Sequence, residues 1–470
     1  MRWGVALLAC LFLTGCGLLT ARRTGQNETG GVDPSLPPPP SGPLELTLPA
    51  LSRSRLDSGV TLVTSPSPTS NQFRLVVGLP LGPGSDPPGV EGAGFLMSHA
   101  VFRAARPGGI PFSREMEQLG VPWQLEITHE GCLLDLLVPP GNLEPVVVAL
   151  AQTLSQLQRD VVEVGQLRDE LVARVGWEPP PPPGVVGLRQ LLFQQHPVSR
   201  EGVDSRQLTT LNIPAAQDYL RRQLIPPGVV VVLVGPVQAV PEGVWAPLAD
   251  LEVSAAKVPA VVPVSLPSGR EFLLIPRPDD HSATLHLGNT LPGRGAQAYM
   301  TTQVVAELWR RRVSVDLAPW WVESGDASAP VGVEIRSGRQ ISLLHLFTRV
   351  KVEEVTSALG VMFGVIDSLR SLPASDEEVA AAVEGVRAQW ARSLASPSRW
   401  GRCLANLTLS GGRVEELPAE LASLLTLQAA DVWGTAQKVL LPEQMAVVGE
   451  GPPTLLAPAL GAFGYQVLPP

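Results

Sequence analysis

The sequence predicts an α+β fold built from two homologous modules, each an antiparallel sheet covered by helices. A tandem repeat is the first reason, because residues 58–68 align without gaps with residues 268–278, an offset of 210 that also places Leu75 on Leu285 and Gly78 on Gly288. The order of elements is the second, since short strands precede helices in each copy and an apolar strand closes it. We therefore infer that the chain contains two copies of one module of about 200 residues.

The N-terminus predicts export and a lipid anchor. Arg2 precedes a short apolar run, and Leu13-Thr14-Gly15-Cys16 resembles a bacterial lipobox, in which the signal is cut before a lipidated Cys. An ordinary secretory signal with an incidental Cys is the alternative. Residues 1–15 are assigned to the signal peptide, and residues 16–43, polar and Pro-rich, to the lipidated Cys16 and a tether. Gly17 after the Cys favours the outer membrane, with the chain on its periplasmic side.

The first module is assigned to residues 44–250, before a linker at residues 251–266. Alternation and helical periodicity predict its elements in turn. Strands are expected near residues 60–64, 72–79, 122–129, 132–138 and 229–235. Helices are expected near residues 91–104, 113–119, 143–157, 161–175, 188–195 and 215–223, with the Pro run at residues 179–183 as a break.

The second module is assigned to residues 267–470, and its end resembles the end of the first. A helix and an apolar strand ending in Gly close both copies, which aligns Gly235 with Gly449. Composition excludes some function classes. The net charge of −9 disfavours nucleic acid and a polybasic membrane contact, so the lipid is the expected anchor. Cys132 and Cys403 lie in different modules and are expected to be unpaired thiols.

Residues 92–102 read Gly-Ala-Gly-Phe-Leu-Met-Ser-His-Ala-Val-Phe. This helix resembles the active-site helix of insulinase or pitrilysin-like zinc peptidases, which carries the inverted motif H-x-x-E-H. Gly92, His99 and Phe102 match that pattern. Phe95 replaces the first His ligand, and Ser98 replaces the Glu base. The turns and strands at residues 59–63, 81–89, 128–130 and 138–144 also follow in the family's order, and the resemblance covers nearly all of residues 45–467.

The resemblance implies a third zinc ligand in a later helix, with another Glu seven residues before it. Glu170 and Glu163 have that spacing. One His and one Glu make a poor zinc site, because a hydrolytic zinc needs three protein ligands and a carboxylate base. We therefore expect no zinc and no other cofactor. A helix histidine satisfied by a local hydrogen bond is the simpler interpretation of His99.

Active members of the family also use an Arg and a Tyr from the second module to hold the substrate. The local match places Arg312 at the first position and Pro319 at the second, so the Tyr is lost. A solvated helix end is the alternative interpretation of Arg312. None of the remaining histidines lies within helical reach of another, so they are not expected to form a metal site, and His281 and His286 are expected to lie on opposite faces of a strand.

The sequence thus predicts an inactive peptidase homologue and no enzyme. As the resemblance implies, it would be one half of a two-chain zinc peptidase, paired with an active zinc-motif member of the family around an unfolded peptide. A stand-alone scaffold or binding protein of the bacterial envelope is the alternative. An active metalloendopeptidase with an atypical zinc site is a third hypothesis.

Overall fold

The computed structural model describes residues 46–67, 70–175, 182–194, 196–200, 202–252, 271–296, 298–320, 331–464 and 466–468. The signal peptide, Cys16, the tether and nearly all of the predicted linker lie outside the described residues. Two six-stranded sheets form the framework.

The first sheet has the strand order β1-β2-β6-β3-β5-β4. Its strands are β1 (Ser52–Arg55), β2 (Thr61–Pro66), β3 (Phe73–Leu79), β4 (Trp123–Ile127), β5 (Cys132–Val138) and β6 (Val230–Gly235). Every described pair is antiparallel except β2 with β6, which is parallel.

The second sheet repeats this order over five strands, as β7-β11-β8-β10-β9, and adds β12 beside β7. Its strands are β7 (Glu271–Pro276), β8 (Ser282–Pro292), β9 (Val331–Arg336), β10 (Ile341–Lys351), β11 (Ala446–Gly451) and β12 (Gln466–Leu468). β11 and β12 are both parallel to β7. The predicted α+β class with two modules is confirmed, although each antiparallel sheet also contains parallel pairing.

The strand register shows which residues of the two copies are equivalent. Leu62 pairs with Val231 in the first sheet, and Phe272 pairs with Val447 in the second. Gly235 therefore corresponds to Gly451, and the predicted match with Gly449 is wrong by two residues. A two-residue shift leaves every side chain on the same face, so the hydrophobic pattern cannot detect it.

Eight helices belong to the first module in the described chain. They are α1 (Ala93–Arg103), α2 (Phe112–Gln118), α3 (Leu143–Ser155), α4 (Val161–Val175), α5 (Pro183–Phe193), α6 (Ser205–Thr210), α7 (Ile213–Gln223) and α8 (Ala246–Ala249). α5 begins at Pro183, inside the run that the sequence analysis treats as a break. Proline is compatible with the first turn of a helix, where its missing N–H costs no hydrogen bond.

Seven described helices follow in the second module. They are α9 (Tyr299–Leu317), α10 (Val355–Ser371), α11 (Asp376–Leu394), α12 (Pro397–Leu409), α13 (Leu417–Ser423), α14 (Ala429–Val439) and α15 (Pro453–Gly461). Of the helices in the described residues, none is by itself long and apolar enough to cross a membrane, and one pair that passes this test together, residues 352–371 and 376–394, is bent by 113°.

Each sheet has helices on both faces, and the modules exchange one helix. On one face, the first sheet packs against α1, α3, α4 and α7 around a shared apolar core. Its other face is covered by α12, which belongs to the second module. In return, α5 of the first module covers the corresponding face of the second sheet.

Candidate functional site

α1 carries the predicted site, and a buried carboxylate fixes where this helix starts. Asp86 accepts hydrogen bonds from the backbone N–H groups of Gly92 (2.8 Å) and Gly94 (2.7 Å). These N–H groups lie at the start of the helix and have no partner within it, so the carboxylate caps it. Burial raises the pKa of Asp86 to about 6, against the lowering effect of the two N–H groups and Arg200.

The three motif positions on α1 are Phe95, Ser98 and His99. Two of them pack against each other, and the third makes a hydrogen bond. Phe95 is half-buried, and its ring lies edge-on to that of His99, with 5.0 Å between ring centroids. Ser98 is completely buried, and its hydroxyl donates to the carbonyl oxygen of Leu81 at 2.9 Å. Next to Ser98, burial raises the pKa of the Cys132 thiol to about 12, so this thiol stays protonated at neutral pH.

The two glutamates of α4 are bonded to the end of α1. Glu163 Oε2 accepts from the backbone N–H of Ala105 at 2.6 Å. Both carboxylate oxygens of Glu170 accept from one guanidinium nitrogen of Arg103, at 2.7 and 2.8 Å. The position that would supply the third zinc ligand is therefore engaged in an ion pair, and its side chain is 56 % exposed.

These residues do not fit a zinc ion. Phe95 has no lone pair, Ser98 is committed to a carbonyl oxygen, and Glu170 is bound to Arg103. Within the residues that the structure describes, no group of three or more His, Cys, Asp or Glu side chains could hold a metal ion. Metal-assisted hydrolysis needs such a group together with an open coordination position.

The predicted substrate-holding positions lie at the C-terminal end of α9. Arg312 forms a two-pronged ion pair with Glu378 on α11, with both N···O distances 2.9 Å, and also donates to the Ser368 hydroxyl at 3.0 Å. The Arg312 hydrogen bond lowers the pKa of Glu378 to about 2. Pro319 is exposed, in the turn after the helix. Arg312 therefore ties α9 to α11.

A cavity of about 500 Å³ lies between the two modules. Arg294 lines it and is itself buried: its guanidinium stacks 3.9 Å from the Tyr299 ring centroid and bonds Glu420 at 2.7 Å. His129 lies in the same wall, and burial followed by the charge of Arg189 holds its pKa well below the usual value. The cavity therefore combines a fixed cation, a neutral imidazole and apolar side chains.

Sequence reasoning missed a contact between two histidines of the second module. His286 on β8 and His345 on β10 lie 3.0 Å apart, between Nδ1 of the first and Nε2 of the second. Helical spacing along the chain does not reveal this contact, because positions 59 residues apart in the chain become neighbours on adjacent strands. His281 precedes β8 and is exposed.

Comparison with known proteins identifies the fold. No family model matches the chain, and no curated protein matches its sequence. Among solved structures, the peptidase M16 inactive domain from Pseudomonas fluorescens superposes with a TM-score of 0.69 at 15% identity, covering 86% of this chain and 98% of that domain. A protease from Helicobacter pylori gives a TM-score of 0.72 at 14% identity, covering 86% of this chain and 100% of that protease.

The first half of the periplasmic protease PqqL from Escherichia coli gives a TM-score of 0.68 at 14% identity, with 88% of this chain and 97% of that half covered. In the structure of the complete protease, the match covers 50% of the longer chain. Identities this low carry the fold and no more. The chain therefore has the two-module fold that is shared by the M16 inactive domain and by the first half of PqqL.

Proposed function

We propose that this chain is a membrane-anchored, non-catalytic homologue of insulinase-like peptidases. It serves as the inactive half of a two-chain zinc peptidase, shapes the peptide chamber and fixes the assembly to the envelope. One observation carries the proposal: the positions on α1 and α4 that would supply the zinc ligands and the base are engaged in packing or in hydrogen bonds. Phe95 packs on His99, Ser98 bonds Leu81, and Glu170 bonds Arg103.

The match to a half-protease supports the idea of a partner. The chain aligns with the first half of PqqL over 97% of that half, and with the complete protease over 50% of its length. A single two-module unit that lacks a zinc site needs a second unit to supply catalysis. We infer that the partner carries an intact H-x-x-E-H motif and that unfolded peptide is the substrate of the pair.

Affinity capture of the mature chain from solubilised envelopes tests the partner. The expected result is co-purification of a zinc-motif homologue in equal amount, with chelator-sensitive peptide cleavage that the purified chain alone does not have. Cys16→Ala is the matched control: it removes the proposed lipid acceptor and leaves the folded body unchanged. This variant should lose sedimentation with outer-membrane vesicles and keep the partner.

A stand-alone binding protein of the envelope is the second candidate, and the cavity between the modules favours it. A volume of about 500 Å³ is within the range of small-molecule sites. Capture of no zinc-motif homologue under conditions that retain the intact lipoprotein would reject the two-chain proposal in favour of this one.

Zinc content separates the third hypothesis, an active metalloendopeptidase with an atypical site. We expect substoichiometric zinc in the purified mature chain. About one tightly bound zinc ion per chain, released by chelator together with peptide cleavage, would establish that hypothesis and overturn the non-catalytic role.

A further inference from the structure

Four ionisable side chains form a continuous row across the second sheet, on the face covered by α5. At its centre, His286 Nδ1 lies 3.0 Å from His345 Nε2. His345 Nδ1 lies 2.9 Å from Glu334 Oε1 on β9. At the other end, His286 Nε2 lies 3.3 Å from Glu450 Oε1 on β11. The row Glu450, His286, His345, Glu334 thus crosses four neighbouring strands.

The geometry of the row fixes its number of protons. An ionised carboxylate only accepts, so His345 Nδ1 must carry a hydrogen to bond Glu334. A neutral His345 then presents a bare Nε2, which accepts from His286 Nδ1–H. A neutral His286 would turn the lone pair of its Nε2 toward Glu450 Oε1, 3.3 Å away. One additional proton, on His286 or shared with Glu450, makes all three contacts attractive.

The surroundings of the row favour one additional proton on the pair of histidines. The imidazole rings of His286 and His345 are buried, and Phe347 packs beside both. Two cations flank the ends, with Arg277 3.7 Å from Glu450 and Arg336 3.0 Å from Glu334. One imidazolium between two carboxylates, with an Arg at each end, leaves a net charge of +1 and no bare carboxylate.

The titration tendencies agree with the assignment. Burial lowers the pKa of His345 against the raising effect of Glu334, so His345 is the neutral member of the pair. The contact with His286 lowers the pKa of Glu450, which stays ionised. Burial raises the pKa of Glu334, but bonds from His345 and Arg336 outweigh it and give a net lowering.

α5 of the first module lies directly on this row. The backbone N–H of Gly184 donates to Glu450 Oε1 at 2.9 Å. The contact is so close that a Cβ at position 184 would stand 2.1 Å from His286 Nε2. Any change in the protonation of His286 or Glu450 therefore acts on the first turn of a helix that belongs to the other module.

We infer that the row Glu450, His286, His345, Glu334 is a proton-dependent latch that holds α5 of the first module on the second sheet. The latch is complete with one shared proton. Loss of that proton sets the Nε2 lone pair of His286 against the Glu450 carboxylate, and gain of a second sets two imidazolium rings against each other. Contact between the modules is consequently strongest in a limited pH window and loosens on both sides of it.

Two measurements on the full mature chain test the latch. In the first, ¹⁵N-labelled histidine is followed by NMR; the chain has six histidines, so single His variants assign the signals. We expect one histidine of the row with both ring nitrogens protonated near neutral pH and its neighbour as a neutral ring with the proton on Nδ1. In the second, hydrogen exchange of α5 is measured from about pH 5 to about pH 9, corrected for intrinsic rates.

Protection of α5 should fall on the order of tenfold when the shared proton titrates, since one pKa unit of differential interaction corresponds to tenfold. The combined change His286→Val, His345→Leu and Glu450→Val introduces the residues found at the equivalent positions of the first sheet, and should remove the pH dependence while α5 stays protected. His281→Gln, which changes an exposed histidine outside the row, is the control and should keep the pH dependence of α5 protection.

The latch is wrong if both row histidines are neutral wherever α5 is protected, or if the protection of α5 in the wild-type chain is constant from about pH 5 to about pH 9. The NMR result decides between these outcomes even if the triple variant does not fold.

Discussion

α12 lies on the first sheet and α5 lies on the second, and a glycine of each helix approaches the same two strand positions. Gly401 of α12 lies over Val76 and Val234, whereas Gly184 of α5 lies over His286 and Glu450. The strand register makes these pairs equivalent. At these positions one interface is apolar and the other is ionised, so the two copies share the approach of helix to sheet but not its chemistry.

The residues that precede the two glycines also differ in how much apolar surface they bury. Trp400 precedes Gly401, is buried, and donates from its indole N–H to the Ser65 hydroxyl at 2.9 Å. Pro183 precedes Gly184 and offers neither an N–H nor a large apolar surface. Around these glycines the first contact is thus made by burial, which depends little on pH, and the second by charges, which depend on it strongly. Away from them, Arg402 of α12 lies 3.2 Å from Glu126 of the first sheet, and leucines of α5 pack on the second.

Trp400→Ala should have the largest effect on this comparison. Emptying a buried Trp site costs about 3–5 kcal/mol of unfolding free energy. Urea titration should show the loss at every pH between about 5 and about 8, because no ionisable group is removed. Trp400→Phe is the matched control, which keeps most of the apolar contact and loses the Ser65 bond for about 1 kcal/mol. A loss that varies with pH would contradict the assignment of the Trp400 contact to burial.

Adding one methyl group to each helix is the next test. Gly184→Ala places a Cβ 2.1 Å from His286 Nε2 and 2.6 Å from Glu450 Oε1, so the row must shift, at a cost of about 2–3 kcal/mol. Gly401→Ala places its Cβ 2.9 Å from a methyl carbon of Val76, which must shift, and the gain in helix propensity offsets part of that cost, for a net loss of about 1 kcal/mol. The urea midpoint should fall further in Gly184→Ala than in Gly401→Ala. Equal midpoints would show that the two helix–sheet contacts do not differ in how they tolerate a methyl group.

The residues that the sequence could predict are those whose role depends on local pattern. The repeat predicted the sheets, because alternation and helical spacing are properties of neighbouring residues. The degenerate zinc site was predicted from the resemblance of residues 92–102 to a family motif. Glu163 and Glu170 were predicted as remnants of a zinc site; their bonds to Ala105 and Arg103 were not, since they depend on how α4 packs against α1.

Contacts between distant segments could not be predicted from the sequence, because they depend on which strands and helices are neighbours in the fold. His286 and His345 meet only because β8 and β10 are adjacent, and Gly184 reaches Glu450 only because a helix crosses to the other module. Alternation places each histidine on a face of its strand. It does not state which strand lies next to it, or which helix covers that face.

The starts of α1 and α9 differ in charge, which predicts a pH effect at the start of α1 that the start of α9 does not share. Asp86 caps α1, whereas α9 begins after Ala298 with no side-chain cap. Because burial raises the pKa of Asp86 to about 6, above its unfolded value, its contribution to stability is present at low pH and is lost as pH rises through about 6. The loss should be about 3 kcal/mol.

Asp86→Asn should flatten this part of the pH profile, since an amide does not ionise. Urea midpoints measured between about pH 4 and about pH 8 check this expectation. Asp57→Asn, an exposed aspartate in the same module, is the control and should leave the profile unchanged. A profile that stays as steep in Asp86→Asn would show that another group causes the dependence.

Arg312→Met should have a smaller effect, because the Arg312–Glu378 ion pair is partly exposed. A two-pronged pair of this kind contributes up to about 1 kcal/mol. Since the pair lowers the pKa of Glu378 to about 2, its contribution is present above the ordinary carboxyl range and is lost as pH falls from about 4.5 towards 2. Arg103→Met is the comparison in the first module: its partner Glu170 is more than half exposed, so the change should cost less than Arg312→Met. Urea titrations of both variants at about pH 7 and about pH 3 give the order, and an Arg312→Met loss that persists undiminished at the lower pH would mean that Arg312 acts through packing rather than charge.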